Sequence, residues 1–131
     1  MEMTRNDVIN LFTIIKDISA SELDKDTLIK FILLRIKLKD ISLEFDKIRQ
    51  EVADQTKPKD WKEGDDMSEW NSKFQPILIE WLKEKVNLDV KILSEEDLAI
   101  LLKENKDKFT ELIEVLTAFM LKEKDEQTDI Q

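Results

Sequence analysis

The chain has 131 residues, 41% of them hydrophobic and 39% charged, a composition typical of one folded domain rather than a disordered or membrane-spanning chain. One glycine and two prolines are too few for the tight turns of a β-sandwich or barrel. Histidine and cysteine are absent, which excludes catalytic triads, thiol nucleophiles and zinc sites built on those residues. The net charge of −9 argues against a general nucleic-acid or anionic-membrane surface.

The first helix is predicted over residues 4–18 and the second over residues 24–53, both from apolar side chains at helical spacing. At 1.5 Å per residue the second helix would be about 45 Å long, which makes it the predicted centre of the fold. A row of apolar side chains on another side of its first half predicts that this half is surrounded by other elements. The row comprises Ile29, Ile32, Leu33, Ile36 and Leu43.

A second apolar pattern on the same helix follows alternating three- and four-residue steps, as in the a and d positions of a coiled coil. We call it the seam; its residues are Phe31, Leu34, Leu38, Ile41, Phe45, Ile48 and Val52. Two interpretations stay open. The seam is either intramolecular core, or the interface of a dimer that self-associates through this helix.

Residues 54–67 lose the periodicity and predict a charged loop that carries Trp61. This tryptophan either anchors a protein partner or folds back over the bundle as a lid. A third helix is predicted from about Ser68, and Pro76 lies inside it, where proline removes a helical hydrogen bond. Either the helix begins near Gln75 with Pro76 in its first turn, or it is kinked at Pro76; the preferred prediction is a break with a shorter helical turn before it.

Residues 86–92 alternate apolar and polar side chains, a strand pattern without a second strand beside it. We predict an extended connector there; the alternatives are a helix extension and a strand that pairs with a partner chain. Ser94 followed by three acidic residues predicts a helix start. A last helix is expected over residues 107–122, and residues 123–131 are expected to form a polar, disordered tail.

Paired carboxylates indicate one enzymatic alternative. All-α nucleotide pyrophosphatases hold magnesium with Glu-x-x-Glu and Glu-x-x-Asp pairs on two helices, and this chain has Glu111 with Glu114 and Glu51 with Asp54. The order of the two pairs is reversed relative to that enzyme class. Among 30 acidic residues such spacings also arise by chance, so a solvated helix face is the preferred interpretation.

Residues 25–49 carry seven basic and four acidic groups, a local excess of positive charge in an acidic chain. An acidic partner or a nucleic acid is one interpretation. The preferred one is that these groups complement the acidic loops and residues 94–107 of the same molecule or of a second copy.

The order of parts is a short helix, a long Leu/Ile/Lys-rich helix, a charged loop, and a helix leading into residues 86–90 (VNLDV) and 93–98 (LSEEDL). This layout resembles small all-α proteins of unknown function encoded among the structural and tail genes of bacteriophages and prophages. The resemblance covers most of the chain but contains no motif, so it assigns no functional residue. It implies an assembly or accessory role through protein contacts.

The sequence therefore predicts an all-α, irregular bundle of four to five helices around one long central helix, in a single domain over residues 1–122. The predicted function is a non-enzymatic protein–protein interaction or assembly module that self-associates, with the seam and Trp61 as the candidate interface. We expect no cofactor, metal site, nucleic acid or membrane partner. Neither a signal peptide nor a membrane span is visible, so a cytoplasmic location is expected. The alternatives are the magnesium-dependent pyrophosphohydrolase and a small antitoxin-like regulator.

Overall fold

The computed structural model describes residues 1–122, except for the Phe109 side chain, and confirms an all-α bundle with one long helix. In chain order its elements are β1 (Glu2–Thr4), α1 (Arg5–Ile15), α2 (Lys25–Thr56), α3 (Ser68–Lys83), β2 (Lys85–Asn87), α4 (Glu95–Glu104), a 3-10 turn (Lys106–Lys108), α5 (Phe109–Val115) and a π-helical turn (Leu116–Met120). The predicted tail over residues 123–131 lies outside the described residues.

Short polar side chains set the starts of three helices. The Thr4 hydroxyl accepts a hydrogen bond from the N–H of Asp7 (3.1 Å), and the Asp24 carboxylate accepts one from Thr27 (3.3 Å). At α4 the Ser94 hydroxyl accepts from the N–H of Asp97, whose carboxylate accepts from the N–H of Ser94. These caps bond N–H groups that have no partner within the helix, which is why the predicted starts of α1, α2 and α4 are confirmed.

Helix α1 lies in the middle of the bundle, although it is much shorter than α2. It contacts α2, α3 and α5, and its Val8, Leu11 and Ile15 side chains are completely buried. The second half of α2 packs on α3, where the indole N–H of Trp70 donates to the carbonyl of Ala53 (3.0 Å). Because α4 packs on α5, and α5 on α1, the long helix remains at one side of the bundle.

The prediction that the first half of α2 is surrounded is wrong. Its seam side packs on α1, but the other apolar row is exposed to solvent. The physical reason is the packing of α5 on α1, which leaves this side of α2 uncovered by the described part of the chain. The exposed fractions are 51% for Ile29, 40% for Ile32, 54% for Leu33, 51% for Ile36 and 48% for Leu43.

The segment 86–92 begins with residues of a strand, β2, which pairs with another strand of the same chain. β2 pairs antiparallel with β1, with Met3 opposite Val86. No strand is predicted from the sequence for residues 2–4, because three residues are too few to show an alternating pattern. Residues 88–92 continue as the predicted connector, and Val90 and Ile92 are buried in the core.

The predicted break at Pro76 is also wrong, since α3 is continuous from Ser68 to Lys83. Proline cannot donate to the carbonyl four residues earlier, which belongs to Ser72. Both Pro76 and Ser72 are exposed, so water can bond to that carbonyl. Beyond the proline, Leu78 is buried and Trp81 stacks on Phe45 of α2, so α3 keeps the same side against the bundle.

The last helix is less regular than predicted. α5 ends at Val115 and widens into the π-helical turn, in which the N–H of Leu121 donates to the carbonyl of Leu116 (3.0 Å). Beyond it, the N–H of Leu93 donates to the carbonyl of Met120 (2.9 Å), and the N–H of Lys122 donates to the carbonyl of Leu93 (2.8 Å). The chain leaves the helix there because its backbone bonds to the connector that precedes α4.

Candidate protein-interaction surface

The structure places the first three seam residues in the core of the single chain. Phe31 and Leu38 are completely buried and Leu34 is 5% exposed. The other four, Ile41, Phe45, Ile48 and Val52, are half-buried. The first half of the seam is therefore part of the intramolecular core, which is the first of its two interpretations. A partner helix could not reach those three side chains without displacing α1.

Phe45 is covered by an aromatic and cationic stack that joins three helices. Its ring stacks on Trp81 of α3 at 5.6 Å between ring centroids. The Arg5 guanidinium lies 4.3 Å from the Trp81 centroid and forms an ion pair with Glu84. Stacked rings and a cation over an indole face stabilise a packing contact beyond the area they bury. This part of the seam thus packs on α3 of the same chain, and Arg5 of α1 lies on the Trp81 ring.

Trp61 folds back onto the bundle. Its ring meets Trp70 edge to face at a centroid distance of 4.8 Å, and its indole N–H donates to the carbonyl of Asp66 (3.2 Å). The Lys57 ammonium lies 5.5 Å from the Trp61 centroid. The ring is half-buried, and these contacts hold the loop against the N-terminal end of α3. This geometry corresponds to the lid interpretation.

The exposed apolar row on α2 is a different surface, which we call the α2 face: Ile29, Ile32, Leu33, Ile36 and Leu43. Ile36 lies two residues before the buried Leu38, a rotation of about 200° around the helix axis. The α2 face and the seam therefore lie on opposite sides of one helix. The sequence pattern identifies the residues of this face but predicts them in the interior, because hydrophobic periodicity does not show which side a neighbouring helix will cover.

A groove between α1 and α2 extends the α2 face. Phe12 of α1 lies beside Ile32 and Ile36, and Arg35 and Lys39 complete this side of the groove, which has a volume of about 370 Å³. The Arg35 guanidinium also donates to the carbonyl of Ile18 at 3.0 Å, near the end of α1. Arg35 thus fixes the wall of the groove.

Charged residues lie beside the α2 face and also on it, since Lys25 is in line with Leu43 and Lys47 with Ile29. Throughout residues 1–122, the structure shows no ion pair for Lys25, Lys30, Lys37, Lys39 or Lys47. The basic groups of α2 were expected to complement the acidic loops or residues 94–107, and within the described chain these five lysines do not. Of the remaining two, Arg35 bonds α1 and Arg49 forms an exposed ion pair with Asp46 at 3.6 Å.

The two carboxylate pairs lie on different helices. Glu51 and Asp54 are exposed near the end of α2, which packs on α3, whereas Glu111 and Glu114 are exposed on α5, which packs on α1 and α4. Among the residues that the structure describes, no group of three or more acidic side chains is placed to hold a metal ion.

Comparisons with known proteins return no match: no family model fits the sequence, and neither the curated proteins nor the solved structures contain a significant relative. Within residues 1–122, no helix combines the length and the apolar character required to span a membrane. Function is therefore inferred from the surface of the chain itself.

Proposed function

We propose that the protein is a non-enzymatic protein–protein interaction or assembly module that self-associates through its long second helix, at the α2 face. The observation that carries the proposal is the exposure of five large aliphatic side chains on one side of one helix. Single exposed leucines are ordinary, whereas a cluster of apolar side chains is typical of an interaction site. Ile29, Ile32, Leu33 and Ile36 form such a cluster, and Asp40 separates it from Leu43.

The arrangement of the face favours a helix as its occupant. Its side chains recur at spacings of three, four and seven residues, which is how one helix presents anchors to another. From Ile29 to Leu43 the face extends about 21 Å along the helix axis. The groove beside Phe12 adds room for side chains of the occupant. An assembly role of this kind is also what the resemblance to phage-encoded proteins implies.

Light scattering over a concentration series tests self-association directly. We expect the wild-type mass to rise from one chain to two with concentration, and Ile36→Glu to keep the protein monomeric, because a carboxylate in the buried centre of a dimer is strongly unfavourable. Ile36 is 51% exposed in the single chain, so the substitution leaves the fold intact.

The matched control is Ile79→Glu on α3, where the isoleucine is 44% exposed and lies outside the α2 face. This variant should dimerise as the wild type does. A wild-type protein that is monomeric at every concentration contradicts the proposal, and so does an Ile36→Glu variant that associates as well as the control.

A further inference from the structure

We infer that the acidic segment 123–131 of this chain docks in a pocket lined by lysines, beside the point at which the described part of the chain ends. The pocket lies between α2 and the connector that precedes α4, and it has a volume of about 360 Å³. Lys30 of α2, Lys91 of the connector and Lys122 line it, together with Asp89. We call it the lysine pocket. It contains no residue of the α2 face, so this inference does not depend on self-association.

The lysine pocket has an excess of positive charge. Its lining side chains carry three positive charges and one negative charge, that of Asp89. Within residues 1–122, neither Lys30 nor Lys122 forms an ion pair. The pocket is therefore suited to a segment that carries several carboxylates.

The segment that follows Lys122 has the complementary charge and begins at the pocket. Residues 123–131 (EKDEQTDIQ) carry four acidic side chains and one basic side chain. Lys122 lines the pocket, and its N–H donates to the carbonyl of Leu93 at 2.8 Å, which fixes the place where the segment starts. Asp125 follows three residues later, so its Cα atom is at most about 11 Å from that of Lys122. The chain thus delivers its carboxylates to the pocket without a long connection.

Covalent attachment favours this segment over an anion or an acidic segment of another molecule. A short tether keeps a ligand at an effective concentration in the millimolar range, which makes even weak contacts effective. The composition of the segment alone predicts a disordered tail, because Ile130 is its one apolar side chain. The lysine pocket supplies contacts that this composition does not show. Single exposed ion pairs are weak, so several carboxylates acting together are what position the segment.

Site-directed spin labelling tests the docking in the full-length protein, which contains no cysteine of its own. A nitroxide is attached at Gln127→Cys, a substitution that keeps all four carboxylates of the segment. We expect the electron paramagnetic resonance spectrum at low salt to contain an immobilised component. The exposed Lys30→Glu substitution should remove most of that component. About 0.5 M NaCl should do the same, because salt screens contacts between exposed charges.

The matched control is Lys62→Glu, which makes the same change of charge at an exposed position in the loop after α2. From Lys30 to its end at Thr56, α2 extends about 39 Å, so this position is remote from the lysine pocket. The control should keep the immobilised component. A spectrum that Lys30→Glu leaves unchanged overturns the inference, and so does an equal loss in both variants. An immobilised component that disappears on dilution overturns it too, because the segment then docks on a second molecule.

Discussion

The side-chain amide of Asn105 bonds to both backbone groups of Ser19, accepting from its N–H at 3.0 Å and donating to its carbonyl at 2.8 Å. A third bond goes from the same amide to the carbonyl of Leu101 (2.8 Å). Asn105 is 5% exposed, so these bonds replace those it would make with water. They join the end of α4 to the connection between α1 and α2.

Replacing Asn105 with alanine should therefore be costly. The partly buried N–H and carbonyl groups of Ser19 would lose their partner, and leaving such groups unbonded typically costs about 1–3 kcal/mol. We expect Asn105→Ala to lower the free energy of unfolding by about 2 kcal/mol. Urea denaturation measures this, with Asn10→Ala, at an exposed position on α1, as the control. Equal stabilities of the two variants would refute the assigned role of Asn105.

Glu104 gives the fold a dependence on pH. Desolvation raises the pKa of its carboxyl group, but hydrogen bonds from the Glu22 N–H (2.7 Å) and from the hydroxyls of Ser19 and Ser21 together lower it below the ordinary value of 4.5. A pKa that is lower in the folded chain stabilises it above the unfolded pKa. This stabilisation is lost as the pH falls through the folded-state pKa.

We therefore expect the wild type to be more stable than Glu104→Gln at neutral pH, and the difference to shrink as the pH falls from about 6 to about 3. Chemical denaturation at several pH values measures both free energies. Asp24 and Asp66 also have lowered pKa values, but they are present in both proteins, so their contributions cancel in the difference. A difference that stays constant with pH would contradict this role of Glu104.

A substitution at Phe45 tests whether the seam or the α2 face forms the dimer interface. Phe45→Ala removes the ring that stacks on Trp81 and should destabilise the fold by about 1–3 kcal/mol, less than for a fully buried phenylalanine. The mass in solution should remain that of the wild type, because residue 45 lies on the opposite side of α2 from Ile36. Light scattering under folded conditions checks this. If a folded Phe45→Ala variant dissociates, the seam and not the α2 face forms the dimer interface.

Pro76 offers a stabilising substitution. Proline inside a helix is about 3 kcal/mol less favourable than alanine, and Pro76→Ala restores a donor for the carbonyl of Ser72. We expect the free energy of unfolding to rise by about 1–3 kcal/mol. Thermal and urea denaturation measure the change. An unchanged free energy of unfolding would contradict the gain expected from restoring this hydrogen bond.

Local signals were sufficient to predict where α1, α2 and α4 begin. The caps at Thr4 and Ser94 depend on side chains a few residues apart, and the seam follows a repeat within one helix, so both can be seen in one stretch of sequence. The strand at residues 2–4 could not be found in this way, because its partner is β2, far along the chain. The bonds between Asn105 and Ser19 span 86 positions and left no pattern either.

The candidate site was predicted only in part. The long helix was identified, and the intramolecular interpretation of the seam agrees with its burial, but the second apolar row was assigned to the interior and is exposed. The seam carries the regular repeat and packs inside the chain, whereas Ile29 and Ile36 belong to a shorter row and are exposed. Which row is covered depends on where α5 settles, and no residue of α2 encodes that.

The β1–β2 pairing also constrains the order of events during synthesis. Asn87 is made 85 residues after its partner Glu2, when α1, α2 and α3 are already complete. The helices that pack on the seam of α2 can therefore cover it before the first strand has an edge to join. The α2 face has no such cover in the described chain and stays exposed from synthesis to the folded state.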